Sequence, residues 1–177
     1  MTDSSIIIRE AVQSDQAAIR EVLLDAYQQY EFTLSEDRWA AYKESILLAV
    51  DSAETRARLV AVRNDEVIGS IFIFDSSVLA YGLPELGIEN PIIRLLAVSQ
   101  KARGLGVATE LIRASAKLSL EWGAELLHLH TSDMMASAVK LYEHLGFERA
   151  FDKDLMNGDV VVKSYRLHLK EAALLQV

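Results

Sequence analysis

The sequence contains no cysteine. That absence excludes disulfide frameworks, thiolate metal sites and cysteine nucleophiles together, and it fits a reducing compartment. Proline occurs twice and glycine eight times in 177 residues, so no Pro/Gly/Ser-rich linker divides the chain. No apolar run reaches the roughly 18 residues that a membrane-spanning helix needs. The stretch from Met1 to Glu10 lacks the basic n-region and long apolar segment of a signal peptide. The cytoplasm is therefore the expected location, without a membrane partner. Basic charge is scarce as well. Eighteen Lys and Arg against 26 Asp and Glu leave a net charge of −8, which argues against nucleic acid as a partner. An acidic surface tolerates a cationic substrate better than an anionic one.

What is present reads as globular: 51% of residues are hydrophobic and 25% charged. With no internal repeat and a length near that of one ordinary domain, a single domain over residues 1–177 is expected. Ile6 to Ile8 form a short β-branched first strand. Ser14 and Asp15 offer a cap for a helix in which Ile19, Val22, Leu23, Ala26, Tyr27 and Tyr30 recur at helical spacing. A second helix follows Ser35, with Trp39, Tyr42 and Ile46 on one face. Arg58–Val62 and Val67–Phe74 read as strands around a turn at Asn64–Asp65. Residues 75–90 are irregular, with Gly82, Pro84 and Gly87. Ile92–Val98 is a continuous strand, followed by a glycine-containing turn and a helix from about Val107 to Trp122. Leu126–Thr131 is another strand. A helix from about Met134 to Leu145 ends at Gly146, a natural left-handed cap. Phe147–Phe151 and Val160–Leu169 complete the chain as strands. This element order predicts an α/β (α+β) fold, a mixed sheet of about seven strands flanked by helices on both faces. The segment from Ile92 to Thr131 has the length of a crossover between parallel neighbours.

The most informative stretch is Leu95-Leu96-Ala97-Val98-Ser99-Gln100-Lys101-Ala102-Arg103-Gly104-Leu105-Gly106-Val107-Ala108. A strand runs into a turn, and the turn opens a helix. The first helical N–H groups have no intrahelical acceptor and carry partial positive charge. Gly104 and Gly106 lack Cβ atoms, so a pyrophosphate can approach the backbone closely. Arg103 and Lys101 add positive charge. Thr109 stands where a dinucleotide-binding fingerprint requires a third small residue, and the Walker pattern is absent.

Arg103-x-x-Gly106-x-Ala108, after a strand ending Leu96-Ala97-Val98, resembles the first signature of the N-acetyltransferase (GNAT) superfamily. Ala138-x-x-Leu141-Tyr142-Glu143-His144-Leu145-Gly146-Phe147 looks like its second. The resemblance implies the acyl-CoA N-acyltransferase fold, with a mostly antiparallel sheet. It also implies acetyl-CoA as co-substrate and acetyl transfer to a primary amine by direct attack. The pyrophosphate would be held by the amides of Gly104, Leu105, Gly106, Val107, Ala108 and Thr109 beside Arg103, and the pantetheine arm would lie along Leu96, Ala97 and Val98. Tyr142 stands where the family often has the acid for the departing thiolate; the alternative is a core aromatic.

Two positions depart from the family pattern. Met135 replaces a frequent asparagine that bonds the cofactor arm, with Ser137 or Thr131 as substitutes and Lys140 in reach of a CoA phosphate, each of them equally a plain surface residue. Ile92 replaces the glutamate base of some members. The base is then Glu89, Glu85, His130 or water, and His130 is equally a strand residue bonded to a loop carbonyl. The acceptor is expected to meet residues 27–39 and 76–90, with Glu31, Glu36, Asp37, Glu85, Glu89, Tyr27, Tyr30 and Phe32. Two other readings stay open: a CoA-responsive binding module without turnover, and transfer of a different acyl group. A homodimer also stays open, since relatives often form one. No metal is expected.

Overall fold

The computed structural model describes residues 5–28, 31–32, 34–131, 136–157 and 160–175. Tyr30, Met134 and Met135 lie outside the described residues. Among the described residues the fold is mixed α/β with eight strands, mostly antiparallel, and five helices. The chain divides into two compact units, Met1–Phe72 with Leu95–Ile112, and Ile73–Arg94 with Arg113–Val177.

In the first unit, β1 (Ile7–Glu10) pairs antiparallel with β2 (Ala57–Arg63), from Ile7↔Val62 to Glu10↔Leu59. β2 runs into β3 (Glu66–Phe74) through Asn64 and Asp65, whose φ values of 52° and 63° make the left-handed pair of a type I′ hairpin turn. β3 in turn neighbours β4 (Ile92–Val98). Helix α1 (Gln16–Tyr27) buries Ile19, Val22, Leu23 and Ala26, the three-and-four spacing of one apolar face. Helix α2 (Glu36–Val50) starts at Ser35, whose side chain accepts from the Arg38 N–H, and buries Trp39, Ile46 and Val50. Asp15 makes no side-chain bond to the α1 start. Its carboxylate accepts from the Arg9 guanidinium at 2.7 Å and, with a smaller effect, from the Val12 N–H at 2.8 Å, and these hold it below the usual carboxylate range.

In the second unit, β4 and β5 (Leu126–Thr131) are parallel, in register at Ile92↔His128, and the His128 N–H donates to Pro91 O at 2.9 Å. β5 pairs antiparallel with β8 (Val160–His168) from Leu126↔His168 to Thr131↔Lys163. β8 also carries β6 (Glu148–Arg149) and β7 (Leu155–Asn157). Helix α4 (Val107–Glu121) supplies residues to both units, and α5 (Ala136–His144) precedes Gly146 and β6.

Two elements differ from the sequence expectation. Residues 75–90 contain a five-residue helix, α3 (Ser77–Tyr81), started by the Ser76 side chain and stopped by Gly82 at φ 68°. The strand expected over Phe147–Phe151 narrows to β6. Its continuation turns as a 3-10 segment at Phe151–Lys153, and the chain regains extended form as β7, an eighth strand.

Candidate active site

The glycine turn is built from β3, β4 and α1. Gly69 of β3 sits under the start of α4. A Cβ there would come within 2.9 Å of Val107 Cγ1, 3.0 Å of Ala97 O and 3.1 Å of Leu111 Cδ1, so only glycine lets helix and strand approach this closely. Val107, Leu111 and Ile112 are buried, and they fix the direction in which the helix start points.

After Val98 the chain makes a 3-10 turn at Gln100–Ala102. It then crosses Gly104 and Gly106 at φ 81° and 78°, left-handed values that any Cβ would strain. A Cβ placed on either glycine meets nothing within 4 Å, and Arg103 to Gly106 are exposed. The first helical bond is Glu110 N–H to Gly106 O at 3.1 Å. Among the described residues, the N–H groups of Gly104, Leu105, Gly106, Val107, Ala108 and Thr109 have no protein acceptor. Six donors at the positive end of a 15-residue helix, with no described residue in front of either glycine, can accept an oxyanion.

The two basic residues of the turn serve differently from expectation. The Arg103 guanidinium donates from Nε to Val98 O at 3.2 Å and from Nη2 to Ala26 O at 3.4 Å, so it braces the turn against α1. Lys101 is ion-paired with Glu66. An anion placed here would therefore lean on backbone amides more than on side-chain charge. An open cleft of about 460 Å³ beside the turn has Glu21, Asp25, Glu66 and Lys101 in its walls. Three carboxylates against one ammonium make that cleft unsuited to a diphosphate.

The strand leading into the turn is irregular where an arm would have to bind. Leu95 has φ 57°, a left-handed conformation inside a strand that costs roughly 1–3 kcal/mol and marks a bulge. Sequence reasoning gives no signal for it, since leucine has no preference for positive φ. The last turn of α1 ties this region down. The Tyr27 hydroxyl donates to Leu96 O at 2.8 Å. The Asp25 carboxylate accepts from the Gln100 N–H at 2.8 Å and from Ser99 Oγ at 3.4 Å, while Gln100 Nε2 returns a bond to Asp25 O at 2.8 Å. Tyr27, expected at the acceptor rim, is thus bonded to the strand itself. These partners lie 69 to 75 positions apart, so no local pattern announces them.

The second unit holds Tyr142 and His130. Tyr142 is buried on α5 and stands edge-on to Phe147, with ring centroids 5.9 Å apart. The phenol that the family pattern makes an acid is therefore also a core aromatic. His130 Nε2 is 3.0 Å from Lys153 O, and because a carbonyl only accepts, that nitrogen carries the proton. Nδ1 then accepts from the Tyr81 hydroxyl, also at 3.0 Å. Burial lowers the His130 imidazole below the ordinary histidine range and raises the Tyr81 phenol. Both ring nitrogens are engaged, as in the loop-carbonyl reading. His128, 3% exposed, is driven down to about 4 by burial first and then by the His130, Arg166 and Lys153 charges. Ile92 is fully buried, while Glu85 and Glu89 are exposed.

The model of the Acetyltransferase (GNAT) family matches residues 17–147, which contain both signature blocks. The chain belongs to the GNAT family. It is 33% identical over 89 residues to "Probable N-acetyltransferase family 8 member 5" of Mus musculus. That match covers 46% of this chain and 39% of the mouse protein, so well under two thirds of that relative is spanned. Among solved structures, the PaiA N-acetyltransferase of Thermoplasma acidophilum, in complex with coenzyme A, superposes with a TM-score of 0.69 at 16% identity. The superposition covers 90% of this chain and 98% of that one. The structure of yncA from Salmonella typhimurium with its cofactor acetyl-CoA gives 0.61 at 20% identity, covering 96% and 97%. These likenesses carry the fold. Among the described residues, no helix is long and apolar enough to cross a membrane.

Proposed function

We propose that this GNAT protein, acting as one domain in the cytoplasm, transfers an acetyl group from acetyl-CoA to a primary amine. The observation that carries the reading is the set of six unpaired amides at Gly104–Thr109 with open space over both glycines. The pyrophosphate of the co-substrate would take those amides, and the pantetheine amides would pair along Leu96–Val98 beside the Leu95 bulge. In the transfer, the neutral amine nitrogen bonds to the thioester carbon, and the C–S bond then breaks. The departing thiolate takes its proton from the Tyr142 hydroxyl, and the proton given up by the amine returns to the phenolate through water. A backbone N–H of β4 would stabilise the carbonyl oxygen as charge develops on it. Exposed acidic residues, Glu85 and Glu89 among them, suit a cationic amine as acceptor.

Titration calorimetry with acetyl-CoA and with CoA tests the reading. Micromolar to submillimolar binding of both is expected; no heat at millimolar ligand overturns it. A second reading, a CoA-responsive module without turnover, draws on two observations. The position of a family glutamate base is the buried Ile92, and His130 has both nitrogens engaged. Thiol release across an amine panel separates the two: CoA binding with no release above the hydrolysis background favours the module.

A further inference from the structure

The backbone alternation of β4 gives Leu96 a particular part in the site. The Ser99 N–H donates to Ile68 O on β3 at 2.8 Å, and Ala97 O lies 3.0 Å from where a Cβ on Gly69 of β3 would be. Residues 97 and 99 therefore turn their peptide groups toward β3. Along a regular strand the groups alternate, so those of Leu96 face the opposite edge. The Leu96 carbonyl takes a side chain there, the Tyr27 hydroxyl at 2.8 Å, directly after the left-handed Leu95. The phenol fixes the direction of that carbonyl from outside the strand. The phenol is itself held: its ring stands edge-on to Tyr42 of α2, with centroids 5.9 Å apart at 80°. Ala26 and Asp25, the two residues before it, are bonded to Arg103 and to Gln100 of the turn.

We infer that Tyr27 is a positioning residue for the acyl-CoA arm. Its hydroxyl sets the direction of the Leu96 peptide groups on the edge of β4 to which the arm amides pair, on the acetyl-CoA reading of this strand. A carbonyl oxygen has two lone pairs, so the Leu96 oxygen can keep the Tyr27 bond and accept an arm N–H as well. The pyrophosphate end depends on other groups, the amides of Gly104–Thr109, and does not require the phenol.

Tyr27→Phe keeps the ring against Tyr42 and removes only the donor. The test is calorimetric titration of the variant and the unsubstituted chain with CoA and with 3′,5′-ADP, which lacks the arm, after far-UV circular dichroism confirms the fold. The expected result is a rise in the CoA dissociation constant of about five-fold, the size of one hydrogen bond, with 3′,5′-ADP affinity unchanged. Equal weakening of both ligands, no change for CoA, or tighter CoA binding overturns the assignment. Failure of the unsubstituted chain to bind CoA at all would instead overturn the acetyl-CoA reading. Where the variant fails to fold, tyrosine ¹³Cζ labelling of the unsubstituted chain gives the answer. The Tyr27 resonance should shift with CoA and stay in place with 3′,5′-ADP; a resonance indifferent to CoA contradicts the assignment.

Discussion

The glycine turn of the first unit and the histidine pair of the second use polar groups in opposite ways. At the turn, among the described residues, six N–H donors are left without protein acceptors, and nothing lies within 4 Å of a Cβ placed on Gly104 or Gly106. Around His130 on β5, the same kind of polar chemistry is closed on itself, whereas His128 Nδ1 and Thr131 Oγ1 are buried without a hydrogen-bond partner. His130 joins Tyr81 to Lys153 O, Lys153 Nζ reaches Leu86 O, and Arg149 pairs with Asp154. Unpaired donors next to water cost little until an anion arrives, whereas unpaired donors in the interior cost about 1–3 kcal/mol each. The difference teaches that perturbed pKa values alone mislead. The strongest shifts, at Tyr81 and His128, lie in the interior of the second unit, and the amides of the glycine turn do not titrate.

The largest expected effect is at the open region. Gly106→Val puts a β-branched residue at φ 78° and fills the space an oxyanion would occupy. CoA affinity should fall about a thousand-fold in calorimetry while the circular dichroism spectrum persists. A ten-fold loss or less would mean that the turn does not hold the phosphates.

The buried His128 beside the closed region should respond to pH instead. The folded-state pKa of His128 is about 4, below the unfolded value near 6.5. Between these values the unfolded chain binds the proton and the folded one does not, so stability rises with pH across the window and is lost as pH falls through it. Up to about 3 kcal/mol is involved. Urea melts at pH 7 and pH 4.5 measure it, and His128→Gln should flatten the difference. An equal slope in the variant would place the acid sensitivity elsewhere.

Much of this was legible in the residues themselves. β4 and β5 follow the expected Ile92–Val98 and Leu126–Thr131, because unbroken apolar runs bounded by polar turns define strands locally. The Asn64–Asp65 hairpin was legible for a similar reason: both residues tolerate positive φ. The glycine turn was readable because glycine announces its own backbone freedom. Leu95 was not, since its left-handed φ is imposed by the surrounding chain. The bonds from Tyr27 and Asp25 were equally hidden, because they depend on where α1 ends in space. Arg103 and Lys101 show the converse. Their charge was legible, but their engagement with backbone carbonyls and with Glu66 was not.

Two smaller effects sharpen the contrast. Tyr142→Phe should lower acetyl transfer about thirty-fold in a thiol-release assay and leave CoA affinity within two-fold. A thiolate of pKa ~8.5 leaves readily enough for water to replace part of the acid's work. Unchanged turnover would assign Tyr142 to the core alone. Glu66→Gln frees the Lys101 ammonium beside the turn and should tighten CoA about two-fold, an effect that disappears at high salt. Weaker binding would show that the ion pair orders the turn.

The most direct measurement is an amide ¹H–¹⁵N titration of the whole chain with CoA. Large, saturating shifts at Gly104 through Thr109, with the His128 and His130 amides nearly still, are what the structure predicts. Shifts at the histidine network without movement of the turn amides would contradict it.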